Sequence, residues 1–547
     1  MTIKLSKPFL KDSIQSILII GLGESGFAMA KWCLLQGAKV RLADTRTSND
    51  LSEQQQTGLT DLKKLGLSDI HLGDWSERHA DEIDNLLNQI DIIGISPGLS
   101  PLSEPTKTIL ALAKQKAIPV WSEIEFFANA IKAIEGYKPQ VLAITGTNGK
   151  TTTTALTGQI CTRAGKRVAV AGNISPAALE KMISVLDEAQ DVSELPEIWV
   201  LELSSFQLEF THTLNPHAAA LLNISQDHLD WHGDMQSYVT AKAKIIGIDS
   251  DIVINRDDVT LQEFMLTDSF SSQRVIRFGN DAPQEPNSFG IERDPHGGID
   301  WLVWAEPDEA TTAAEANPEQ FTKRRNRKKS QAYQRSDELR IKRLIPVDAL
   351  RIRGRHNALN ALAALALAKS AGLNLSLLLH GLREYRGEPH RVQSIAMIND
   401  VEYIDDSKGT NVGATVAALE SLGSEKSHKQ IWLIVGGDGK GQDFQPLRSP
   451  IQRYVKGLFL IGRDADIIKA VCAQELDPSV SCEKVDTLEE VVKKVAQQAR
   501  SGDIVLLSPA CASFDMFRNY EHRATVFAEA VHELAFTMPT LDLGATA

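Results

Sequence analysis

The stretch Ala143-Ile-Thr-Gly-Thr-Asn-Gly-Lys-Thr-Thr152 joins an apolar run to a glycine turn, a lysine and a row of hydroxyls. A buried strand that ends in such a turn and passes into a helix aims backbone N–H groups and a helix N-terminus at an anion. Lys150 is then placed to reach the β- and γ-phosphates of a nucleotide, and Thr151 or Thr152 to hold Mg²⁺. The strict GxxxxGK-Ser/Thr spacing is not met, because Ile144 stands where the first glycine belongs. A polar turn with a solvated lysine is the competing reading. The apolar run before the turn and the threonines after it favour ATP.

Further along, Ile198–Leu203 reads as a buried strand with Glu202 inside it. A carboxylate there is costly unless it is paired or bound to a metal, so Glu202 is either a magnesium ligand or half of a structural ion pair. In NISQDHLDWHG, His228 lies beside two aspartates and is a candidate ligand, although a lone loop histidine is more often a surface residue. Lys242 comes later in an AKAKII helix and, alone, reads as a solvated helix lysine. Near the start of the chain, Gly21-Leu-Gly23-Glu-Ser-Gly26 follows a short apolar run, and Asp44 comes at the distance of a ribose-binding carboxylate. That is the fingerprint of an NAD site. The same helix N-terminus accepts any diphosphate, and UDP carries one too.

Three runs of β-forming residues lead into these and similar turns. Ser16–Ile20 precedes GLGESG, Val141–Thr145 precedes GTNGKTTT, and Gln430–Val435 precedes GGDGKG. Strands that alternate with helices predict parallel α/β sheets, one nucleotide-style unit per domain. A chain of 547 residues has room for three or four domains at roughly 150 residues each. Seams are expected near Asn129–Gln140 and near Gly387–His390. Glu306–Glu319 is acidic, and six of the seven residues of Lys323–Lys329 are basic, with few large apolar residues before Leu339. This stretch reads as a charged surface insertion over about 306–343. An RNA- or membrane-binding patch is the less favoured alternative.

The net charge is 58 − 71 = −13, which argues against a protein that coats nucleic acid. The five cysteines form no CxxC pair, so neither a disulfide framework nor a zinc ribbon is expected and a reducing compartment is the default. The apolar run Ile17–Ile20 is too short for a signal peptide. Ala358–Leu382 is alanine-rich but broken by Asn360, Lys369 and Asn374, as in a helix packed inside a protein. A cytoplasmic protein without membrane insertion or nucleic-acid partner is expected.

At GTNGKTTT, ELSSFQLE, NISQDHLDWHG and GRHNALNA the sequence resembles the Mur ligases, ATP-dependent amide-forming enzymes of peptidoglycan synthesis. DTR at Asp44–Arg46, DDSKGTN at Asp405–Asn411 and SPACASFDMF at Ser508–Phe517 resemble the D-glutamate-adding members in particular. The resemblance covers almost all of the chain outside Glu306–Arg343. It implies an α/β protein of three domains. These are a Rossmann-like N-terminal UDP-sugar domain over 1–128, a central P-loop ATPase-like parallel-sheet domain over 129–387, and a Rossmann-like C-terminal amino-acid domain over 388–547.

The resemblance also implies ATP, UDP-N-acetylmuramoyl-L-alanine and D-glutamate as substrates, two Mg²⁺ ions and a monomer. Lys150 and the backbone of Gly146, Thr147, Asn148 and Gly149 would hold the ATP phosphates, with Thr151 and Thr152 beside them. Thr151 and Glu202 would bind one Mg²⁺, and His228 with a carbamylated Lys242 the other. Asn357 and Asn360, three residues apart on one helix, would face the adenine. Arg391 and Lys408 would complete the phosphate clamp. Gly23, Glu24 and above all Ser25 would meet the UDP diphosphate. Asp44, Thr45 and Arg46 would meet the uracil, with Ser96, Pro97 and Gly98 alongside and Asn173 near the reacting carboxylate. Thr410, Lys440, Ser513, Phe514 and Tyr520 would bind D-glutamate. A ligase for another amino acid, a folylpolyglutamate synthase-like enzyme, an NAD-dependent oxidoreductase and an interaction protein built on the basic run are the alternatives.

Overall fold

The computed structural model describes residues 16–73, 80–266, 273–295, 298–306, 339–423, 429–473 and 481–537. They gather into two compact units. The first takes in the described residues up to Ile224, then His228–Ala349 and Leu359–Glu384; the second takes in Ser225–Asp227, Leu350–Ala358 and the described residues from Tyr385 onward.

The first unit holds two sheets. In one, β1 (Ser16–Ile20), β2 (Lys39–Asp44), β3 (Asp69–Leu72), β4 (Ile92–Ile95) and β5 (Val120–Trp121) run in the order β3-β2-β1-β4-β5. All neighbours are parallel. Four of the five β1 residues are buried, as expected of a strand covered on both faces by crossover helices. The turn after it is forced by crowding. Gly21 has φ +97°, and a Cβ on Gly26 would lie 1.8 Å from the Gly21 carbonyl oxygen.

The other sheet has nine strands. They are β6 (Gln140–Thr145), β7 (Val168–Gly172), β8 (Ile198–Glu202), β9 (Ala218–Leu221), β10 (Asp251–Asn255), β11 (Val275–Phe278), β12 (Ser288–Arg293), β13 (Asp300–Ala305) and β14 (Ile341–Pro346), in the order β14-β13-β12-β11-β10-β9-β6-β8-β7. From β7 to β12 the neighbours are parallel. β13 and β14 then add an antiparallel edge. The apolar core is continuous through both sheets of this unit, from Ile17 and Trp32 to Leu201 and Ile254.

The second unit has one six-stranded sheet of β15 (Gln393–Ile398), β16 (Val401–Asp405), β17 (Ile431–Gly436), β18 (Val455–Ile461), β19 (Ser481–Lys484) and β20 (Ile504–Leu507), in the order β15-β16-β20-β17-β18-β19. Only β15 is antiparallel. The first two glycine turns pass directly into the helices Glu24–Leu35 and Lys150–Arg163. The third does not. GGDGKG stays an open loop in which Asp438 bridges to Ala512, and the next α-helix starts at Arg448. Gly436 and Gly437 carry φ values of +130° and +133°, and Lys440 is left-handed at +50°, so no helical turn can nucleate there. The alanine-rich stretch forms two helices, Arg355–Ser370, whose alanines and leucines are buried, and Leu375–Glu384, which buries only one face. Among the described residues no helix is long and apolar enough to cross a membrane.

The basic run Lys323–Lys329 lies outside the described residues. Its attachment is defined, however. The Glu306 N–H donates to the Arg340 carbonyl at 3.0 Å, so the two ends of the excursion meet across β13 and β14. β14 is an edge strand six steps from β6, roughly 29 Å at the usual strand spacing. Deleting Ala310–Arg335 and closing the gap with a short flexible linker is therefore expected to leave turnover within several-fold. An assay of the purified, folded deletion protein checks this, and complete loss of activity contradicts it.

Candidate active site

In each sheet the candidate residues sit beyond the carboxyl ends of neighbouring parallel strands, where open α/β sheets place ligands. In the first sheet these are the ends of β2, β1 and β4. The Asp44 carboxylate is buried and fully engaged. It accepts from the Leu22 N–H at 2.6 Å, from the Arg46 N–H at 2.9 Å, and from the Arg46 guanidinium at 2.8 and 2.7 Å. Burial pushes this carboxyl up, but Arg46 and the Leu22 N–H outweigh it and hold it below the usual range. A ribose-binding aspartate needs a free oxygen for the diol, and here Arg46 occupies both. Ser96 Oγ donates to the Gly21 carbonyl at 3.1 Å, so it braces the turn from below, while Gly23, Thr45 and Gly98 are exposed.

Glu24, Ser25 and Pro97 line the same edge. Glu24 Oε1 is already taken, by Ser175 Oγ at 2.8 Å and the Ala177 N–H at 3.0 Å.

In the nine-stranded sheet the cluster spans the ends of β9, β6, β8 and β7. Lys150 Nζ donates to the carbonyls of Gly146 at 2.9 Å and Thr147 at 2.8 Å. Lys242 Nζ is buried and donates to the same Gly146 carbonyl at 2.8 Å. It also lies 4.6 Å from the centre of the Tyr238 ring. Glu202 is buried at the end of β8. Its Oε1 accepts from Asn173 Nδ2 at 2.8 Å, and its Oε2 is buried with no hydrogen-bond partner. Gly149 has φ +81°, and a Cβ there would meet Asn360 Oδ1 at 2.4 Å, so the loop leaves just enough room for that amide. Thr151 and Thr152 are buried in the first turn of the helix that Lys150 opens. His228 is left-handed at φ +54° and packs its ring edge-on against Phe206, 4.6 Å away. Asn357 lies three residues before Asn360 on Arg355–Ser370 and donates to the Arg353 carbonyl at 2.8 Å.

Two residues here escape a reading of the sequence. Asn223 clasps the loop, accepting from the Asn148 N–H at 2.8 Å and donating to its carbonyl at 3.1 Å. Tyr238 bonds Thr147 Oγ1 through its hydroxyl at 3.0 Å. Tyr238 lies one helical turn before Lys242, and that spacing is a readable signal.

In the second unit the cluster spans the ends of β16, β20 and β17. The Ala510 N–H donates to the Gly409 carbonyl at 2.9 Å, joining the DSKGTN and SPACAS loops. Lys408 Nζ lies 5.3 Å from the centre of the Tyr520 ring. Ser513 is buried, Phe514 is 71% exposed, and Thr410 is half-buried. Lys440 is exposed on the loop after β17. Arg391 follows His390, whose Nδ1 pairs with Asp405 at 2.7 Å. Asp406 is buried against Ser508, and burial pushes its carboxyl up to about 7.

Glu123 is wholly buried too. One of its oxygens accepts the Leu179 N–H and the other has no partner. Burial raises its pKa to about 7, with a smaller push from Glu24. An unfolded glutamate titrates near 4.5, so between those values the folded chain keeps a proton that the unfolded chain has lost. Stability then falls as pH rises through that window and levels off above it. The full cost is about 3 kcal/mol, and Asp406 adds to it with the same sign. Burial holds His232 and His356 down to about 4, which acts with the opposite sign below their ordinary 6.5, so the Glu123 contribution is read as a difference. In thermal melts from about pH 5 to about pH 8, the stability of Glu123→Gln relative to the parent chain is expected to rise with pH. A difference that stays constant with pH contradicts the assignment.

Comparison with protein families matches residues 15–122 to the MurD-like N-terminal domain of Mur ligases, 144–368 to the Mur ligase middle domain, and 390–511 to the Mur ligase glutamate ligase domain. A UDP-N-acetylmuramoylalanine–D-glutamate ligase of Cupriavidus metallidurans is 51% identical over 527 residues, covering 95% of this chain and 97% of the relative. Its counterpart in Cupriavidus pinatubonensis is 52% identical over 531 residues, again covering 95% and 97%. Among solved structures, a UDP-N-acetylmuramate-alanine ligase from Thermotoga maritima has a TM-score of 0.52 at 18% identity, covering 95% of this chain and 99% of its own. A MurF ligase from Thermotoga maritima in complex with ADP gives 0.52 at 16% identity, covering 97% and 99%. These two share the fold. With half of its residues identical to such relatives along nearly its whole length, the chain belongs to the Mur ligase family.

Proposed function

We propose that the chain joins D-glutamate to UDP-N-acetylmuramoyl-L-alanine at the expense of ATP, in the cytoplasm and as a monomer, with domains divided near residues 128 and 387. The observation that carries this reading is the cluster on Gly146. Two lysines converge on one carbonyl, beside a buried glutamate with an unpartnered oxygen. In the reaction, the alanine carboxylate attacks the γ-phosphorus of ATP, ADP departs, and an acyl phosphate forms. The D-glutamate amine, having shed a proton, attacks the acyl carbon. Phosphate leaves with its electron pair and the amide remains. Lys150 and the loop N–H groups spread the charge that develops on the transferred phosphoryl group.

The residues present fit Mg²⁺ at Glu202. Glu202 Oε2 is a buried acceptor without a donor, and Thr151 stands in the first turn of its helix. Among the described residues no three His, Cys, Asp or Glu side chains gather as a metal site. The Mur ligase pattern would give Thr151 and Glu202 to one Mg²⁺, and His228 with a carbamylated Lys242 to a second. The ions supply neutralisation of phosphate charge. Asn173, whose amide donates to Glu202, would meet the end of the substrate that reacts. Lys440, Thr410 and Ser513 offer a cation and two hydroxyls to the carboxylates of D-glutamate, with Phe514 and Tyr520 at the edges.

An oxidoreductase reading leaves the Gly146 cluster without work and asks Asp44 for an oxygen that Arg46 holds. Phosphate release from ATP tests the proposal. It is expected only when sugar nucleotide and D-glutamate are both present. Release that ignores either substrate contradicts the ligase reading, and an NADH absorbance change would support the oxidoreductase.

A further inference from the structure

Glu24 is the first residue of its helix, directly after the Gly21-Leu-Gly23 turn. A carboxylate there opposes the charge of any diphosphate held by that turn. Its geometry gives it other work. Oε1 accepts from Ser175 Oγ at 2.8 Å and from the Ala177 N–H at 3.0 Å. Both groups belong to the segment that leaves β7 and enters the helix Ala178–Glu188.

The other end of this segment is seated on Glu202. The Asn173 N–H donates to the Glu202 carbonyl at 2.7 Å, and Asn173 Nδ2 donates to Glu202 Oε1 at 2.8 Å. Gly172 has φ +112°, and a Cβ on it would lie 2.3 Å from the Glu202 carbonyl oxygen, so this contact is as close as a backbone allows. The Gly172 N–H closes the loop on the Pro176 carbonyl at 3.0 Å. One short loop is thus held by the glutamate of the phosphate site at one end and by the diphosphate turn at the other. A second tie, Lys31 to Glu180 at 2.8 Å, joins the same two helices further along.

We propose that Glu24 is a positioning residue for the ligase reaction: through Ser175 and Ala177 it sets the loop that presents Asn173, seated on Glu202, to the reacting carboxylate. The inference rests on the function proposed above, and it refines the role of Glu24 from a ligand of the sugar nucleotide to a strut behind one. It connects the Gly21-Leu-Gly23 turn to Glu202 through one short stretch of main chain.

Steady-state kinetics with all three substrates test it. Glu24 is exposed, so its variants should fold. Glu24→Ala is expected to lower kcat by roughly fivefold to tenfold with the KM for ATP unchanged. Glu24→Gln recovers most of the loss, because an amide oxygen still accepts both hydrogen bonds. Ser175→Ala loses less, and the double variant Glu24→Ala/Ser175→Ala is no worse than Glu24→Ala alone. A raised KM for the sugar nucleotide at unchanged kcat, or effects that add in the double variant, would make Glu24 a direct ligand and overturn the proposal. Amide exchange at Ala177 needs no turnover and separates this inference from the functional reading. If the wild type makes no product from D-glutamate, the functional reading fails. The strut stands if Glu24→Ala, but not Glu24→Gln, unprotects the Ala177 amide. Equal protection in all three proteins overturns it.

Discussion

Lys150→Ala is expected to abolish ATP-dependent turnover, by roughly a hundredfold to a thousandfold or more, while UDP-sugar binding stays largely intact. The reason is positional. Lys150 opens the helix after β6, and its Nζ lies over the loop on the carbonyls of Gly146 and Thr147. Those two contacts fold the ammonium back over the turn at which the helix N–H groups converge. In the proposed reaction the transferred phosphoryl group would carry its charge at that point, and no other side chain of the turn is cationic. Removing one preorganised donor from such a site costs most of its electrostatic advantage. The cluster proposed for the sugar nucleotide hangs on other strands, β1, β2 and β4, and keeps its own contacts through Asp44, Arg46 and Ser96. Calorimetry with the sugar nucleotide, beside a phosphate-release assay, checks both halves. Lost sugar-nucleotide binding with preserved ATP turnover would reverse the assignment of the two clusters.

Lys242→Ala should lose nearly as much, roughly a hundredfold, and should regain part of it when short-chain carboxylic acids are added. Lys242 is buried, and its amino group shares the Gly146 carbonyl with that of Lys150. Two ammonium groups on one acceptor concentrate positive charge at the turn. The proposed carbamate on Lys242 would reverse its sign and supply an oxygen ligand for Mg²⁺. The Tyr238 ring beneath the chain and the Tyr238 hydroxyl on Thr147 fix where that oxygen can go. A free carboxylate entering the space vacated in Lys242→Ala can replace it in part. An electron-density map of the active, metal-loaded enzyme with an unmodified amine would contradict this role.

Much of this arrangement is legible in the residues alone. Ser16–Ile20 and Val141–Thr145 each run apolar into a glycine turn, and local chemistry is enough to predict the helix that succeeds each turn. Glu202 stands out because a carboxylate inside IWVLEL has no local reason to be there. Other features depend on partners far along the chain. GGDGKG reads like the other two turns, but Asp438 pairs with Ala512 and the loop never winds into a helix at once. Asn223 and Tyr238 carry no motif of their own, and they matter because β9 lies beside β6. Glu24 reads as part of a diphosphate loop, whereas its bonds reach Ser175 and Ala177, about 150 residues away. The antiparallel pair β13 and β14 is hidden by the charged stretch between them, because a hairpin is recognised by its short turn.

At the centre of the proposed reaction, the sugar nucleotide's own carboxylate is activated by phosphorylation before D-glutamate attacks. The most direct measurement labels that carboxylate with heavy oxygen and follows the label by mass spectrometry after a single incubation with ATP, Mg²⁺ and a panel of D- and L-amino acids. One heavy oxygen is expected in the released phosphate for each amide formed, with D-glutamate as the preferred amino acid. Amide formed with unlabelled phosphate, the expelled heavy oxygen appearing in water or on the nucleotide instead, or label transfer that accompanies L-alanine, L-glutamate or diaminopimelate in place of D-glutamate, would contradict it.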